Sequence, residues 1–262
     1  MTHGEWCGRA QVTLCGSPGK TQGSEAPTVT AEGKHTLADL EAYLARELPE
    51  YERTSDPYRI THTVQVTSFG GSGTSVLCEQ LIRAGVDLQP GPGQWPFKHR
   101  RQPPRTDEVP EGFRVVYLVG DPRDAVLSIF RRDYQIGHYG ALHGEPPPPE
   151  AMARLESLET FLAAGIDDFE LTDHVDGWLH HPAGYPVLFV RYDSLTEVWP
   201  ELTAFVGLPP ESPPIPRRAR NSNRGSISPT MREQLDAMYG ELAARIDALP
   251  AAHLVPGRTD RS

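Results

Sequence analysis

"VTSFGGSGTSVL", residues 66–77, joins the end of an apolar strand to a glycine-rich turn and then to a helix. Proteins commonly wrap backbone around a phosphate in this way. Glycines let the chain turn sharply and approach a ligand, and the first amides of the helix point outward as donors. Gly70, Gly71 and Gly73 supply the turn, and the hydroxyls of Ser72, Thr74 and Ser75 add side-chain donors. A Walker-type nucleotide loop places Lys and then Ser or Thr after its last glycine. Here Thr74 and Ser75 follow Gly73, so the loop has no lysine of its own. The stretch "GSPGKT" at 16–21 imitates the end of such a loop, but it has Leu14 where the first glycine of the motif belongs and "QGSEAP" where its helix belongs. Without that context the motif carries no weight.

Working outward from the turn, the strand is "THTVQVTS" (61–68) and the helix runs from about Thr74 to Ala84. "RVVYLV" (114–119) and "PVLFVRY" (186–192) are nearly unbroken apolar runs, the pattern of parallel strands covered on both faces. Helical periodicity covers 122 to about 134, 151–164, about 168–180, 196–206 and 229–249. Strands separated by helices predict an α/β fold, a three-layer sandwich with a central parallel sheet. Residues 1–35, rich in Gly, Ser, Thr and Pro, read as a disordered or loosely attached extension. Residues 36–250 read as a single α/β domain, opened by a short amphipathic helix with Leu37, Leu40, Leu44 and Leu48 on one stripe, and 251–262 as a tail.

Composition excludes several classes. No apolar run approaches the roughly 20 residues of a membrane span, and the first residues lack the pattern of a signal peptide, so a soluble, cytoplasmic protein is expected. Three irregularly spaced cysteines, Cys7, Cys15 and Cys78, do not form a disulfide framework or a metal site. A net charge of -10 argues against nucleic acid as a partner. The cations nonetheless gather in three places: "FKHRRQPPR" (97–105), "DPRDAVLSIFRR" (121–132) and "PRRARNSNRG" (216–225). The acidic stretch from Glu145 to Asp176 reads as the outer face of a packed helix, its apolar side formed by Met152, Leu155, Leu158, Leu162, Ile166 and Phe169.

The second cluster is the most specific. Asp121 suits an N-cap and Pro122 the first helical position, and one turn on Ser128, Arg131 and Arg132 stand at i, i+3 and i+4 on one face. A hydroxyl beside two guanidiniums is a second anion site.

The glycine turn and "GDPRDAVLSIFRR", in this order, resemble the two nucleotide-binding signatures of sulfotransferases that use 3′-phosphoadenosine 5′-phosphosulfate, PAPS. "LFVRYDSLTE" is similar to that family's "RYEDL" segment, and "SNRGSISPTMREQLDAMYGEL" to its C-terminal arginine-glycine segment and closing helix. The resemblance covers about residues 60–250 and implies a P-loop NTPase-like sulfotransferase fold. By position it places the 5′-phosphosulfate at Gly70, Gly71, Ser72, Gly73, Thr74 and Ser75. It puts the 3′-phosphate at Ser128 with Arg224 and Gly225, and the adenosine near Tyr192. His99, beside Lys98, stands where many members carry their base; His138, His143, His174, His180 and His181 are runners-up.

Two departures stand out. Gly71 replaces the family's usual lysine and Gly120 its usual arginine, and both cations touch cofactor phosphates. Arg131 and Arg132 are the candidate replacements at the 3′-phosphate, and Lys98, Arg100 or Arg101 at the sulfuryl end. The resemblance implies transfer of a sulfuryl group from PAPS to a hydroxyl or amine of a small-molecule or glycan acceptor. Adenosine 3′,5′-diphosphate would leave, and no metal is required. The alternatives are a nucleotide-dependent phosphotransferase and a non-catalytic nucleotide-binding protein.

Overall fold

The structure is a computed structural model that describes residues 60–88, 98–209, 212 and 224–258. The extension at 1–35, the leucine-striped segment at 36–48, the "GSPGKT" stretch and the arginines at 217, 218 and 220 lie outside the described residues.

Four strands form one sheet in the order β1 (Val64–Thr67), β2 (Arg114–Val119), β3 (Val187–Arg191) and β4 (Ala252–Val255). β1, β2 and β3 are parallel, with Val64 opposite Arg114 and Val119 opposite Arg191. The unbroken apolar run in β2 follows from burial on both faces. Val115, Tyr117 and Val119 point to one core while Val116 and Leu118 point to the other, as the two-residue period of a strand requires.

The second core is closed by α1 (Thr74–Arg83), through Leu77, Cys78 and Leu81, and by α7 (Trp199–Val206), through Trp199, Leu202 and Val206. The first and larger core takes the remaining helices: α2 (Pro122–Arg131), α3 (Gln135–His143), α4 (Pro149–Arg154), α5 (Leu158–Ala164), α6 (Leu171–Leu179) and α8 (Pro229–Asp247). Helices therefore cover both faces of a four-stranded, mostly parallel sheet. No helix among the described residues is long and apolar enough to cross a membrane.

Three expectations are corrected. Residues 252–255 are not tail but β4, which pairs antiparallel with β3, Val187 opposite Val255, so the sheet is not wholly parallel. An edge strand needs one pairing partner only, and Leu254 stays half exposed, which left it without an apolar signature. The helix expected at 151–164 is two helices, because Ser157 caps the second: its Oγ accepts from Thr160 N at 3.0 Å. A local hydroxyl cap competes with helix continuation, and Ile166, placed on the buried stripe, is exposed. Finally, the expected helix from 122 ends at Arg131, and Asp133, at φ 54°, reverses the chain into α3.

The register puts the carboxyl ends of β1, β2 and β3 side by side. The glycine turn, the start of α2 and the one-turn helix Tyr192–Ser194 all leave the sheet at that edge. Ligands of open α/β sheets bind at this edge as a rule.

Candidate functional site

A cleft of about 410 Å³ opens over that edge, within the range of roughly 300–1,000 Å³ usual for small-molecule and cofactor sites. Its lining brings together Gly71, Gly73, Thr74, Ser75, Lys98 and His99, the wall of the glycine turn, with Ser128, Arg131 and Arg132, the wall of α2, and with Tyr192. These come from four separate stretches of sequence. Val76, Asp124 and Leu127 complete the lining.

The turn is built from its first residue upward. Ser68, fully buried at the end of β1, accepts from Gly70 N at 3.0 Å through Oγ and shares a 2.6 Å hydrogen bond with Thr74 Oγ1. Ser72, also buried, donates its hydroxyl to Gly70 O at 3.0 Å. The hydroxyls of Ser72 and Thr74, expected to meet a phosphate, are hydrogen-bonded within the turn, and Thr74 also lines the cleft. Ser75 alone of the three is exposed. Gly73, at φ 82°, caps α1 in the left-handed region; the amides that begin the helix have no intrahelical acceptors and aim the positive end of its dipole along the axis.

Two glycines are required by close approach. A Cβ on Gly71 would stand 2.7 Å from Ala125 Cα, and one on Gly73 would stand 2.5 Å from the Tyr192 ring. A lysine therefore has no room at position 71: the turn lies against the backbone of α2, and no side chain fits between them. Tyr192 packs on Gly73 and forms a wall of the cleft.

The cation arrives from elsewhere. Lys98 Nζ donates to Ser75 Oγ at the first turn of α1. Its backbone is tied to the end of β1, since its carbonyl accepts from Ser68 N at 3.1 Å and Thr67 Oγ1 at 3.2 Å. Burial pulls its ammonium below the ordinary lysine value, with Arg132 adding a smaller push in the same direction. Arg100 and Arg101, offered as companions to Lys98, are engaged otherwise: Arg100 pairs with Glu108 at 3.0 Å and Arg101 with Glu170.

His99 follows directly. Its Nδ1–H donates to Ser68 O at 3.0 Å, so the neutral ring keeps Nε2 as its acceptor nitrogen. Desolvation, reinforced by the neighbouring His138, holds its pKa well below 6.5. The runners-up are built into structure. His138 Nε2–H donates to Phe69 O at 2.9 Å, and His174 lies 2.8 Å from Tyr117 OH and 3.4 Å from His99 O; both are buried. His143 lies 2.9 Å from Asp168 O, His180 lies 3.1 Å from Asp176 O, and His181 stacks on Tyr185.

On the opposite wall, Asp121 caps α2 by accepting from Arg123 N at 2.9 Å. Arg123 bridges Asp121 and Asp236, each at 2.7 Å, and Arg224 pairs with Asp121 and, at 2.7 Å, with Asp124. Burial opposes ionisation of Asp121, but the hydrogen bonds from Arg123 and Arg224 outweigh it and hold its carboxyl below the ordinary range. Arg224 and Gly225 do not line the cleft; Arg224 reaches its margin through Asp124. Arg131 and Arg132 are exposed, and Arg132 Nε donates to Ser128 O at 2.9 Å. Among the residues expected at the cofactor, Gly70 and Ser72 lie behind the turn. No local signal marks the role of Ser68 in the turn or that of Asp124 in the cleft, since Asp124 has the ordinary place of an acidic residue at a helix start. Neither family models nor curated protein sequences yield a match to this chain.

Proposed function

We propose that the chain is a sulfotransferase that moves a sulfuryl group from PAPS to a hydroxyl or amine of a small-molecule or glycan acceptor. The observation that carries the reading is the Lys98–Ser75 hydrogen bond. It returns a cation to a glycine turn that has no room for one at Gly71, and it does so from the residue beside the candidate base. Further support comes from the lining, which brings Ser128, Arg131, Arg132 and Tyr192 to the same cleft as the glycine turn.

PAPS, when bound, supplies the sulfuryl group and a stable diphosphate leaving group. The chain's residues do the rest. The α1 amides and Lys98 stabilise negative charge at the turn, where a preorganised donor in a partly dehydrated cleft outperforms water. Ser128, Arg131 and Arg132 offer a hydroxyl and two planar forks to a second phosphate. His99, fixed with its proton on Nδ1, presents Nε2 to take the acceptor's proton. A magnesium-dependent phosphotransferase needs a carboxylate for its metal beside the loop. Asp124, the carboxylate in the cleft, is held by Arg224, which favours the metal-free reading.

Calorimetric titration with adenosine 3′,5′-diphosphate, and separately with ATP and Mg²⁺, tests this. Binding of the diphosphate without metal is expected. Lys98→Met should weaken it about ten- to hundredfold, the usual worth of a charge-assisted hydrogen bond, and Ser128→Ala should weaken it less. Binding of ATP only with Mg²⁺, or of neither nucleotide, would overturn the reading.

A further inference from the structure

The glycine turn has a second face, away from the cleft, and a histidine fills it. His138, on α3, is 4% exposed, and a Cβ on Gly70 would collide with its ring. The imidazole thus occupies the place that a side chain at position 70 would take, against a backbone held at φ 96°. Its Nε2–H donates to Phe69 O at 2.9 Å. One residue earlier, Ser68 O accepts from His99 Nδ1–H at 3.0 Å. Two imidazoles therefore hold successive carbonyls of the turn, and they meet edge to face, centroids 5.0 Å apart.

We propose that His138 is a positioning residue: a neutral imidazole that fixes the glycine turn from behind and, through it, the orientation of His99 in the cleft. The proposal rests on the sulfotransferase reading only in taking His99 as the base. Both rings must be uncharged and in opposite tautomers, His138 with its proton on Nε2 and His99 with its proton on Nδ1. A second positive charge here would face Arg132, Lys98 and His143 around His138, with His99 and His174 beside it. Among the described residues, Arg132 and Lys98 are fixed cations that act on His138, and its ring is shut away from water at 4% exposure, so neutrality is the state its surroundings favour. Its role follows from the donor, not from bulk alone. Glutamine can place an amide N–H near the position of Nε2, whereas phenylalanine keeps the ring and loses the N–H.

Side-chain nitrogen NMR of the ligand-free protein near pH 7 reads both tautomers directly. The expected wild-type result is Nε2–H for His138 and Nδ1–H for His99. His138→Gln should preserve the His99 tautomer and hold diphosphate affinity within about threefold, while His138→Phe should give His99 a tautomer mixture, raise its pKa and weaken the diphosphate about tenfold. A purely structural role would leave the His99 tautomer unchanged in a folded His138→Phe protein, and that result overturns the proposal. A charged or Nδ1–H His138 in the wild type does the same, even if His138→Phe fails to fold. Should the wild type bind no diphosphate, the sulfuryl-transfer reading fails, while the His99 tautomers still decide the role of His138.

Discussion

The two walls of the cleft carry their cations by different means. At the glycine turn, position 71 is closed by α2, and the replacement comes from a segment remote in sequence: Lys98, anchored at the end of β1, hydrogen-bonds Ser75. At the start of α2, where Gly120 stands, nearby arginines are present but committed, Arg123 to Asp121 and Asp236 and Arg224 to Asp121 and Asp124. Arg131 and Arg132, exposed at the end of the helix, line the cleft, with Arg132 Nε donating to Ser128 O. The first wall is hydrogen-bonded by His138 and His99; the second is an ion-pair network at partial exposure. A glycine turn without a lysine of its own can therefore stand beside a cation, provided the fold brings one to the same edge.

Acid separates the walls with the largest effect. His138 and His174 behind the turn have pKa values pulled down to about 4 and about 3, first by burial. In the unfolded chain they titrate near 6.5. Between 6.5 and these lower values the unfolded state binds protons that the native state refuses. The stability present above pH 6.5 is therefore lost as pH falls toward 4 and 3, at about 1.4 kcal/mol per pH unit for each histidine. Urea midpoints measured from pH 7 to pH 4.5 should fall steadily, and His138→Gln should make the slope shallower. A flat profile in the wild type would break the contrast, since the turn would then have no buried histidine support.

A lysine placed at position 71 sharpens it next. Gly71→Lys puts a Cβ against Ala125 and a side chain at φ 64°. Strain and overpacking together should cost about 3 kcal/mol, read as a lower urea midpoint, with diphosphate binding lost and not improved. Tighter binding by this variant would show that α2 yields, and that Lys98 is not the turn's necessary cation.

Much of this arrangement was legible in the residues. β2 spans Arg114–Val119 as its apolar run indicated, and α2 and α8 begin where Asp121 and Ser228 cap and where Pro122 and Pro229 follow. Those signals are local, and so survive without knowledge of tertiary contacts. α3 was missed because "QIGHYGALH" carries two glycines and no side-chain cap, and its reason for being helical is the burial of His138, Tyr139 and Leu142. The pairing of Lys98 with Ser75 spans 23 residues, and the closure of position 71 depends on α2. Proximity of that kind is not written in either segment. Arg224, set at a phosphate by resemblance alone, is paired in the fold with two aspartates, because only the folded chain brings the start of α2 beside the residues before α8.

The smallest effect tests those aspartates. Asp124 lies in the cleft with its side chain 13% exposed and holds Arg224 Nε at 2.7 Å. A carboxylate there repels an anionic ligand and at the same time restrains the nearest committed cation. Asp124→Asn removes the charge and keeps the side chain's shape, and Asp121 still pairs with Arg224. With a partly screened interaction of about 1 kcal/mol, diphosphate affinity should rise roughly fivefold at low salt, and the gain should shrink as ionic strength increases. Weaker binding would reverse the comparison drawn between the walls. It would mean that Asp124 presents Arg224 to the ligand instead of withholding it, so that the second wall, like the first, owes its charge to a cation delivered from a distant segment.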